Sequence, residues 1–166
     1  MGNSGLEKHA GSSMKAESPK VQLDGFLAKF TPEVRAIAKA ALAKMRRRLP
    51  GALELVYDNY NALAIGFGPS ERASEAIFSI ALFPRWVSLF FLQSGAKLPD
   101  PQKLLKGSGK RVRHIVLEDA ATLDRPAVQE LIALALERAA KPLDATNRRR
   151  IVIKFISAKQ RPRRPA

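Results

Sequence analysis

The pattern that decides the fold lies between residues 76 and 91, which read Ala76-Ile77-Phe78-Ser79-Ile80-Ala81-Leu82-Phe83-Pro84-Arg85-Trp86-Val87-Ser88-Leu89-Phe90-Phe91. The first half is apolar and rich in residues that favour strands, and the last six residues repeat that composition. Pro84 and Arg85, between the two halves, predict a tight turn. The stretch therefore predicts two neighbouring strands that run antiparallel.

Further strand patterns lie on both sides of this stretch. Residues 52–58 alternate between apolar and acidic side chains, and residues 62–67 form a second apolar run that ends at Gly68-Pro69-Ser70. Residues 112–117 return as a β-branched segment after a long loop. The connections among the first four strands are too short for crossover helices, so the sheet is predicted to be mostly antiparallel. Residues 151–156 are a candidate edge strand, which either closes this sheet or pairs with a second chain.

Helix signals surround the strands. Thr31-Pro32-Glu33 predicts a helix start, with Thr31 as the cap and Pro32 in the first position, and Pro50-Gly51 predicts its end. A shorter amphipathic helix is expected before it, interrupted near Gly25, and Asp124 is predicted to cap a last helix. Together these patterns predict an α+β fold, with a mostly antiparallel sheet of four to six strands and helices packed on one face.

Composition and length divide the chain into three parts. A chain of 166 residues fits one domain. We predict a disordered Gly/Ser-rich tail over residues 1–20, a single α+β domain over residues 21–145, and a basic C-terminal arm over residues 146–166. The sequence has no cysteine, which excludes disulfides and thiolate ligands, and no apolar run of about 18 residues, which a membrane span needs. We therefore predict a cytoplasmic protein with no membrane partner.

The C-terminal arm carries most of the excess positive charge. The chain has a net charge of +14, and residues 146–166 hold eight lysines and arginines and no acid. Such an arm is drawn to polyanions, although the same charges would also serve solubility alone. The residues predicted to tether nucleic acid are Arg148, Arg149, Arg150, Arg161, Arg163 and Arg164.

A second basic region lies in residues 104–115, which contain four lysines and arginines, two glycines and no acid. Glycines allow several backbone N–H groups to point at one anion. The candidate anion-binding residues are Lys106, Ser108, Lys110, Arg111 and Arg113, and the two arginines are expected to share one face of the following strand. The alternative is a solvated hairpin. A nucleotide-hydrolysing P-loop is not predicted, because Leu104 replaces its first glycine and Arg111 its Ser or Thr.

No catalytic or metal-binding constellation stands out. His114 has no carboxylate near it in sequence, so a structural role in a strand is predicted. Glu54 and Asp58 share one face of a predicted strand and are weak candidates for oxygen ligands of iron or magnesium, with a polar sheet face as the alternative. We predict no enzyme activity, no metal site and no cofactor. Five aromatic residues either stack on bases or fill the core: Tyr57, Tyr60, Trp86, Phe90 and Phe91.

The chain resembles the YdhG-like family, a bacterial domain of unknown function. Residues 83–91, Gly95-Ala96-Lys97-Leu98 and residues 105–115 carry the resemblance, which covers residues 21–140. It implies a compact α+β domain, and some relatives are described as frataxin-like handlers of iron. The family's Trp-Gly-x-Pro-like turn after the first strand is absent here, where residues 57–61 read Tyr-Asp-Asn-Tyr-Asn.

The leading hypothesis is a non-enzymatic binding module that contacts an anionic partner through the basic loop and the basic arm. Nucleic acid, or another phosphate-bearing ligand, is the expected partner because phosphate contacts need only cations. The alternative is a frataxin-like intracellular iron chaperone. A third hypothesis is an enzyme that holds a small anionic substrate at Arg111 and Arg113.

Overall fold

The computed structural model describes residues 17–166, which form three α-helices and a six-stranded sheet. The helices are α1 (Pro19–Leu27), α2 (Pro32–Arg48) and α3 (Pro126–Glu137). The strands are β1 (Leu53–Asp58), β2 (Leu63–Gly68), β3 (Phe78–Leu82), β4 (Val87–Phe91), β5 (Arg113–Leu117) and β6 (Ile151–Ile156). Short 3-10 helices span Ala73–Glu75, Gly95–Lys97 and Ala120–Asp124.

The sheet has the strand order β5-β4-β3-β2-β1-β6. Every neighbouring pair is antiparallel except β1 and β6, which run parallel. The predicted α+β class with a mostly antiparallel sheet is therefore confirmed. The candidate edge strand joins the sheet of its own chain, and its pairing with β1 contains one irregularity, where Lys154 is the extra residue between Ile153 and Phe155.

The helices and the sheet share one core. Side chains from one face of the strands pack against apolar residues of the helices, since alternate residues of a strand point to the same face. The sheet supplies Val56, Leu63, Ile65, Phe67, Phe78, Ile80, Leu82, Val87, Leu89, Phe91, Ile115 and Leu117, and the helices supply Leu23, Leu27, Val34, Ala38, Leu42, Met45, Val128, Leu131 and Ile132. The predicted packing of helices on one face is thus confirmed.

Two helix starts show where local sequence signals are sufficient and where they are not. Thr31 Oγ1 accepts a hydrogen bond from Val34 N at 3.3 Å, as predicted for the cap of α2. Asp124 does not cap α3, so that prediction was wrong. A 3-10 turn ends at Asp124, and its carboxylate instead accepts hydrogen bonds from Lys44 at 2.6 Å and Arg48 at 2.7 Å. The predicted interruption at Gly25 is also absent, because α1 continues through it.

The description of the chain begins at residue 17. Most of the predicted tail, residues 1–16, lies outside the described residues, and Pro19 already begins α1. None of the helices within residues 17–166 is long and apolar enough to cross a bilayer.

Candidate nucleic-acid interface

The sheet has two ends, which separate the basic residues into two groups. We call the hairpin end the one that carries the β1–β2 turn (residues 59–62) and the β3–β4 turn (residues 83–86). We call the loop end the opposite one, where β5 begins. Because β6 runs parallel to β1, residues 157–166 leave the sheet at the hairpin end and residues 148–150 enter it at the loop end.

The β3–β4 turn holds an exposed aromatic pair. Phe83 N donates a hydrogen bond to Trp86 O at 2.9 Å, which closes the turn around Pro84 and Arg85. The rings of Phe83 and Trp86 stack with their centroids 4.8 Å apart and their planes at 17°. Trp86 nevertheless keeps 43% of its surface exposed. The turn therefore presents a rigid indole face to solvent.

The C-terminal segment brings arginines to the same end. Arg161 N donates to Tyr60 O at 2.9 Å, and the Arg161 guanidinium lies 5.6 Å from the centroid of the Tyr60 ring, which is 48% exposed. Arg164 Nε donates to Lys29 O at 3.1 Å. Backbone and side-chain hydrogen bonds thus hold the segment against the β1–β2 turn and the end of α1.

An open cavity of about 800 Å³ lies between the β3–β4 turn and the C-terminal segment. Its lining contains no acidic side chain. We define the aromatic–arginine cluster as this lining's charged and aromatic residues together with the adjacent Tyr60: Tyr60, Phe83, Arg85, Trp86, Arg161 and Arg164. Stacking surfaces and cations side by side are the two elements that single-stranded nucleic acids require.

Arg163, also predicted to tether nucleic acid, has a different role, and that prediction needs correction. It is only 6% exposed, and its Nη2 donates to Asp58 Oδ1 at 2.9 Å. Its guanidinium also lies 5.7 Å from the centroid of the Phe30 ring. Its partner stands 105 residues earlier in the chain, which is why no local pattern showed it. Arg163 anchors the C-terminal segment to the core.

The other three predicted tether residues lie at the loop end, away from the cluster. Arg150 pairs with Glu71 at 3.1 Å. Arg148 and Arg149 are exposed and have no ion-pair partner in the part of the chain that the structure describes. The six predicted arginines therefore do not form one surface, and Arg161 and Arg164 are the two that join the cluster.

The predicted anion-binding loop is exposed, but its cations do not converge. Lys106 pairs with His114 through two backbone hydrogen bonds of 2.8 and 2.9 Å, which extend the sheet beyond β5. Lys106, Lys110 and Arg111 are exposed, as is Ser108. Arg111 precedes β5, which begins at Arg113, so the predicted shared strand face for these two arginines is wrong.

Arg113 turns back onto its own loop. Its guanidinium donates to Gly109 O and, at 2.8 Å, to Val112 O, so it stabilises the loop instead of facing a ligand. The N–H groups of residues 107–112 have no hydrogen-bond partner among residues 17–166, and these residues are exposed. Free N–H groups and three exposed cations remain an anion-attracting surface, although without the convergence that a tight site needs.

The two carboxylates considered for iron are both engaged by arginines. Glu54 accepts two hydrogen bonds from Arg46, at 2.9 and 2.7 Å, and Asp58 accepts one from Arg163. Both carboxylates are 1% exposed. The hydrogen bond with Glu54 raises the pKa of Arg46, against the opposing effect of burial. Within residues 17–166, no group of three or more His, Asp or Glu side chains is arranged to hold a metal ion.

His114 lies within the sheet, in β5. Its ring stacks on Phe90 with centroids 5.0 Å apart. Burial, and secondarily the charge of Lys106, lower the pKa of His114 from its ordinary value of 6.5. The lowered pKa favours the neutral imidazole, and among residues 17–166 no carboxylate pairs with it to activate it as a base.

Comparison with protein-family models, curated proteins and solved structures finds no match to this chain. The resemblance to the YdhG-like family therefore stays a prediction. The sequence did nominate Tyr60, Trp86, Arg161 and Arg164 separately, but it gave no sign that they converge. Arg85 was missed as a site residue, although its place in a turn beside a tryptophan was a signal.

Proposed function

We propose that this protein is a binding module without catalytic chemistry, and that it holds single-stranded nucleic acid at the aromatic–arginine cluster. The observation that carries the proposal is the exposed face of Trp86, which Phe83 holds in place beside Arg85, Arg161 and Arg164. A base stacks on the indole while the arginines neutralise the neighbouring phosphates.

The aromatic component favours nucleic acid over a simple phosphate ligand. Inorganic phosphate would use the arginines and leave Trp86 and Tyr60 in water. Single strands are favoured over duplexes because stacking on a side chain requires a base that is free of its own stack. Bases of any identity have a π face, so the proposal does not include sequence specificity.

The iron-chaperone alternative receives no support from the site geometry. Its two ligand candidates, Glu54 and Asp58, would have to abandon Arg46 and Arg163. Removing one partner of a buried ion pair costs about 3–5 kcal/mol. A weak oxygen ligand set does not offset that cost.

Intrinsic fluorescence offers a direct test, because Trp86 is the only tryptophan in the chain. The protein is titrated with a deoxythymidine oligonucleotide of about 12 nucleotides and with a duplex of the same length. We expect the single strand to quench the emission with saturation and the duplex to bind more weakly. The affinity should fall between about 50 and about 200 mM salt. Equal affinity for the duplex, or no quenching at low salt, would contradict the proposal.

A variant separates stacking from charge. Trp86→Leu keeps an apolar side chain and every arginine, and we expect its affinity for the labelled oligonucleotide to fall by about 5–150-fold, measured by fluorescence anisotropy. The thermal unfolding of the variant is recorded alongside to show that the fold is intact. An unchanged affinity in a folded variant would show that charge alone accounts for binding.

A further inference from the structure

The outer edge of β6 is an unpaired strand edge. Glu54 N donates to Arg150 O at 3.0 Å and Ser157 N donates to Asp58 O at 2.8 Å, so these groups of the last strand point toward β1. Direction alternates along a strand, and the register pairs Glu54 with Ile151. The N–H and C=O groups of Ile151 and Ile153 therefore point outward, where no other strand of the described chain lies.

This edge is apolar where it is most exposed. Phe155 and Ile156 are 51% and 50% exposed. Proteins normally protect such edges, and here a bulge and a single charge at Lys154 interrupt the strand without covering it. A regular stretch with free backbone groups, followed by exposed apolar side chains, is the surface that strand addition uses.

An open cavity continues from the start of β6. It has a volume of about 850 Å³ and lies between α1, α2 and β6, where Ile151 forms part of its lining. Its apolar wall includes Leu23 and Leu42, and Lys39 and Arg149 lie at its rim. The lining contains five cations, Lys20, Lys39, Arg46, Arg149 and Arg150, and two acids, Asp24 and Glu54. Both acids are already paired, with Lys20 and Arg46 respectively.

Charge decides which occupant suits this edge. A second copy of the chain would bring its own β6 with its flanks, and residues 146–166 hold eight cations and no acid, against an identical set. Residues 1–16 carry two lysines and one glutamate, so they offer no complementary charge either. Nucleic acid has no backbone ladder to pair with Ile151 and Ile153. An extended segment with acidic side chains can pair with the free backbone groups of β6, cover its exposed apolar side chains and neutralise the cations at the rim of the cavity.

We propose that β6 is a docking edge for an acidic, extended peptide segment of a partner protein, which adds as a seventh strand. Backbone hydrogen bonds to Ile151 and Ile153 supply the affinity, and alternate side chains of the segment point into the cavity between α1, α2 and β6. Lys39 and Arg149 select acidic residues there. This inference is independent of the nucleic-acid proposal, which rests on the β3–β4 turn and residues 161–166.

The test uses three labelled peptides and the unmodified full chain. The first has the sequence Glu-Val-Glu-Val-Glu-Val, the second replaces every glutamate with lysine, and the third is the acidic peptide with every backbone nitrogen methylated. We expect saturable anisotropy changes with the first peptide and at least about tenfold weaker binding of the other two. Equal binding of the methylated peptide would overturn strand addition, because that peptide lacks the necessary N–H donors. Equal binding of the lysine peptide would overturn charge selection.

Amide exchange and variants locate the contact. Saturation with the acidic peptide should slow hydrogen exchange at Ile151 and Ile153. Arg149→Glu should lower the affinity for the acidic peptide by about tenfold and leave the affinity for the oligonucleotide unchanged. Arg111→Glu, at an exposed position beside the opposite edge of the sheet, makes the same change of charge and is the matched control. Protection at β5 instead of β6 would overturn the assignment.

Three competing occupants have distinct signatures, each of which would overturn the proposal. A synthetic peptide of residues 1–16 that displaces the acidic probe more effectively than unlabelled probe would assign the edge to the chain's own N-terminus. A concentration-dependent dimer that the probe dissociates would assign it to a second copy. An oligonucleotide that displaces the probe from a Trp86→Leu variant would assign it to nucleic acid.

Discussion

The Gly-rich loop and the C-terminal segment look alike in sequence and differ in structure. Both hold several cations and no acid, over residues 104–115 and 146–166. The C-terminal segment contributes a strand, buries Arg163 against Asp58 and lays Arg161 over Tyr60. In the loop, Arg113 donates hydrogen bonds to carbonyl groups of the loop itself, and Lys110 and Arg111 are exposed to solvent.

The difference shows that the role of a basic residue depends on what the fold places beside it. A buried carboxylate makes an arginine structural, an exposed aromatic ring makes it part of a binding surface, and solvent alone leaves it as a contributor to net charge. Among the described residues, β1 supplies the buried carboxylate and the β1–β2 turn supplies the exposed ring. The exposed cations of the loop have neither partner. Local sequence contains none of this information.

The largest expected effect comes from removing the anchor of the C-terminal segment. Arg163→Ala removes the closer of the two cations that pair with the buried Asp58 and leaves only the half-exposed Lys29, whose Nζ lies 3.9 Å from Asp58 Oδ2. We therefore expect a loss of about 3 kcal/mol in the free energy of unfolding, measured by urea denaturation. Arg149→Ala, at an exposed and unpaired position, is the control and should stay within about 0.5 kcal/mol of the parent. Similar losses in both variants would abolish the distinction between the anchoring arginine and the surface ones.

The next largest effect is expected at Gly95, which packs against the backbone of the Gly-rich loop. A Cβ at Gly95 would meet Arg113 N at 2.7 Å and Arg111 O at 2.9 Å, both of them backbone atoms that cannot move alone. We expect Gly95→Ala to cost about 1–3 kcal/mol and to weaken the hydrogen bond from Ala96 N to Arg111 O. The measurement is urea denaturation together with amide exchange at Ala96.

Gly109, in the same loop, is the matched control for Gly95. The nearest atom to its added Cβ is Val112 O at 3.9 Å, which is ordinary contact. Gly109→Ala should therefore change the free energy of unfolding by less than about 0.5 kcal/mol. If Gly95→Ala also left the free energy of unfolding unchanged, the loop would not pack against Gly95 as the structure shows.

A smaller effect separates the two basic regions in binding. Arg161→Gln removes one phosphate contact from the aromatic–arginine cluster, so the slope of log affinity against log salt for a single-stranded oligonucleotide should decrease by about 0.7. Arg111→Gln changes the same net charge at the other end of the sheet and should leave the slope within error. Equal changes in both variants would mean that nucleic acid responds to total charge and not to the cluster.

The sequence allowed the sheet to be predicted much better than the site. The alternation in residues 52–58 and the turn at Pro84-Arg85 are local, and each acts over fewer than about ten residues, so they predicted strands and antiparallel pairing. The parallel pairing of β6 with β1 joins residues almost a hundred positions apart. Nothing in the run Ile151–Ile156 indicates which strand it will join.

The errors at single side chains also come from contacts between residues far apart in sequence. Asp124 has the local signature of a helix cap, but two cations from α2 reach its carboxylate, and those contacts span 80 and 76 residues. The cluster depends on the β3–β4 turn and the C-terminal segment meeting at one end of the sheet. A prediction from local pattern can nominate such residues individually and cannot assemble them.

The smallest expected effect is a pH dependence that belongs to the loop side of the sheet. The pKa of His114 is lowered from 6.5 by burial and by Lys106, so the unfolded chain binds a proton that the folded chain resists. Stability should therefore fall as the pH decreases from about 7.5 through about 6.5, and His114→Phe, which keeps a ring against Phe90, should flatten this decrease. Glu75, Asp124 and Asp144 have lowered pKa values and titrate below this window. Urea denaturation at several pH values measures the slope, with His9→Gln as the control. A decrease of the same steepness in His114→Phe would show that the lowered pKa of His114 is not its cause.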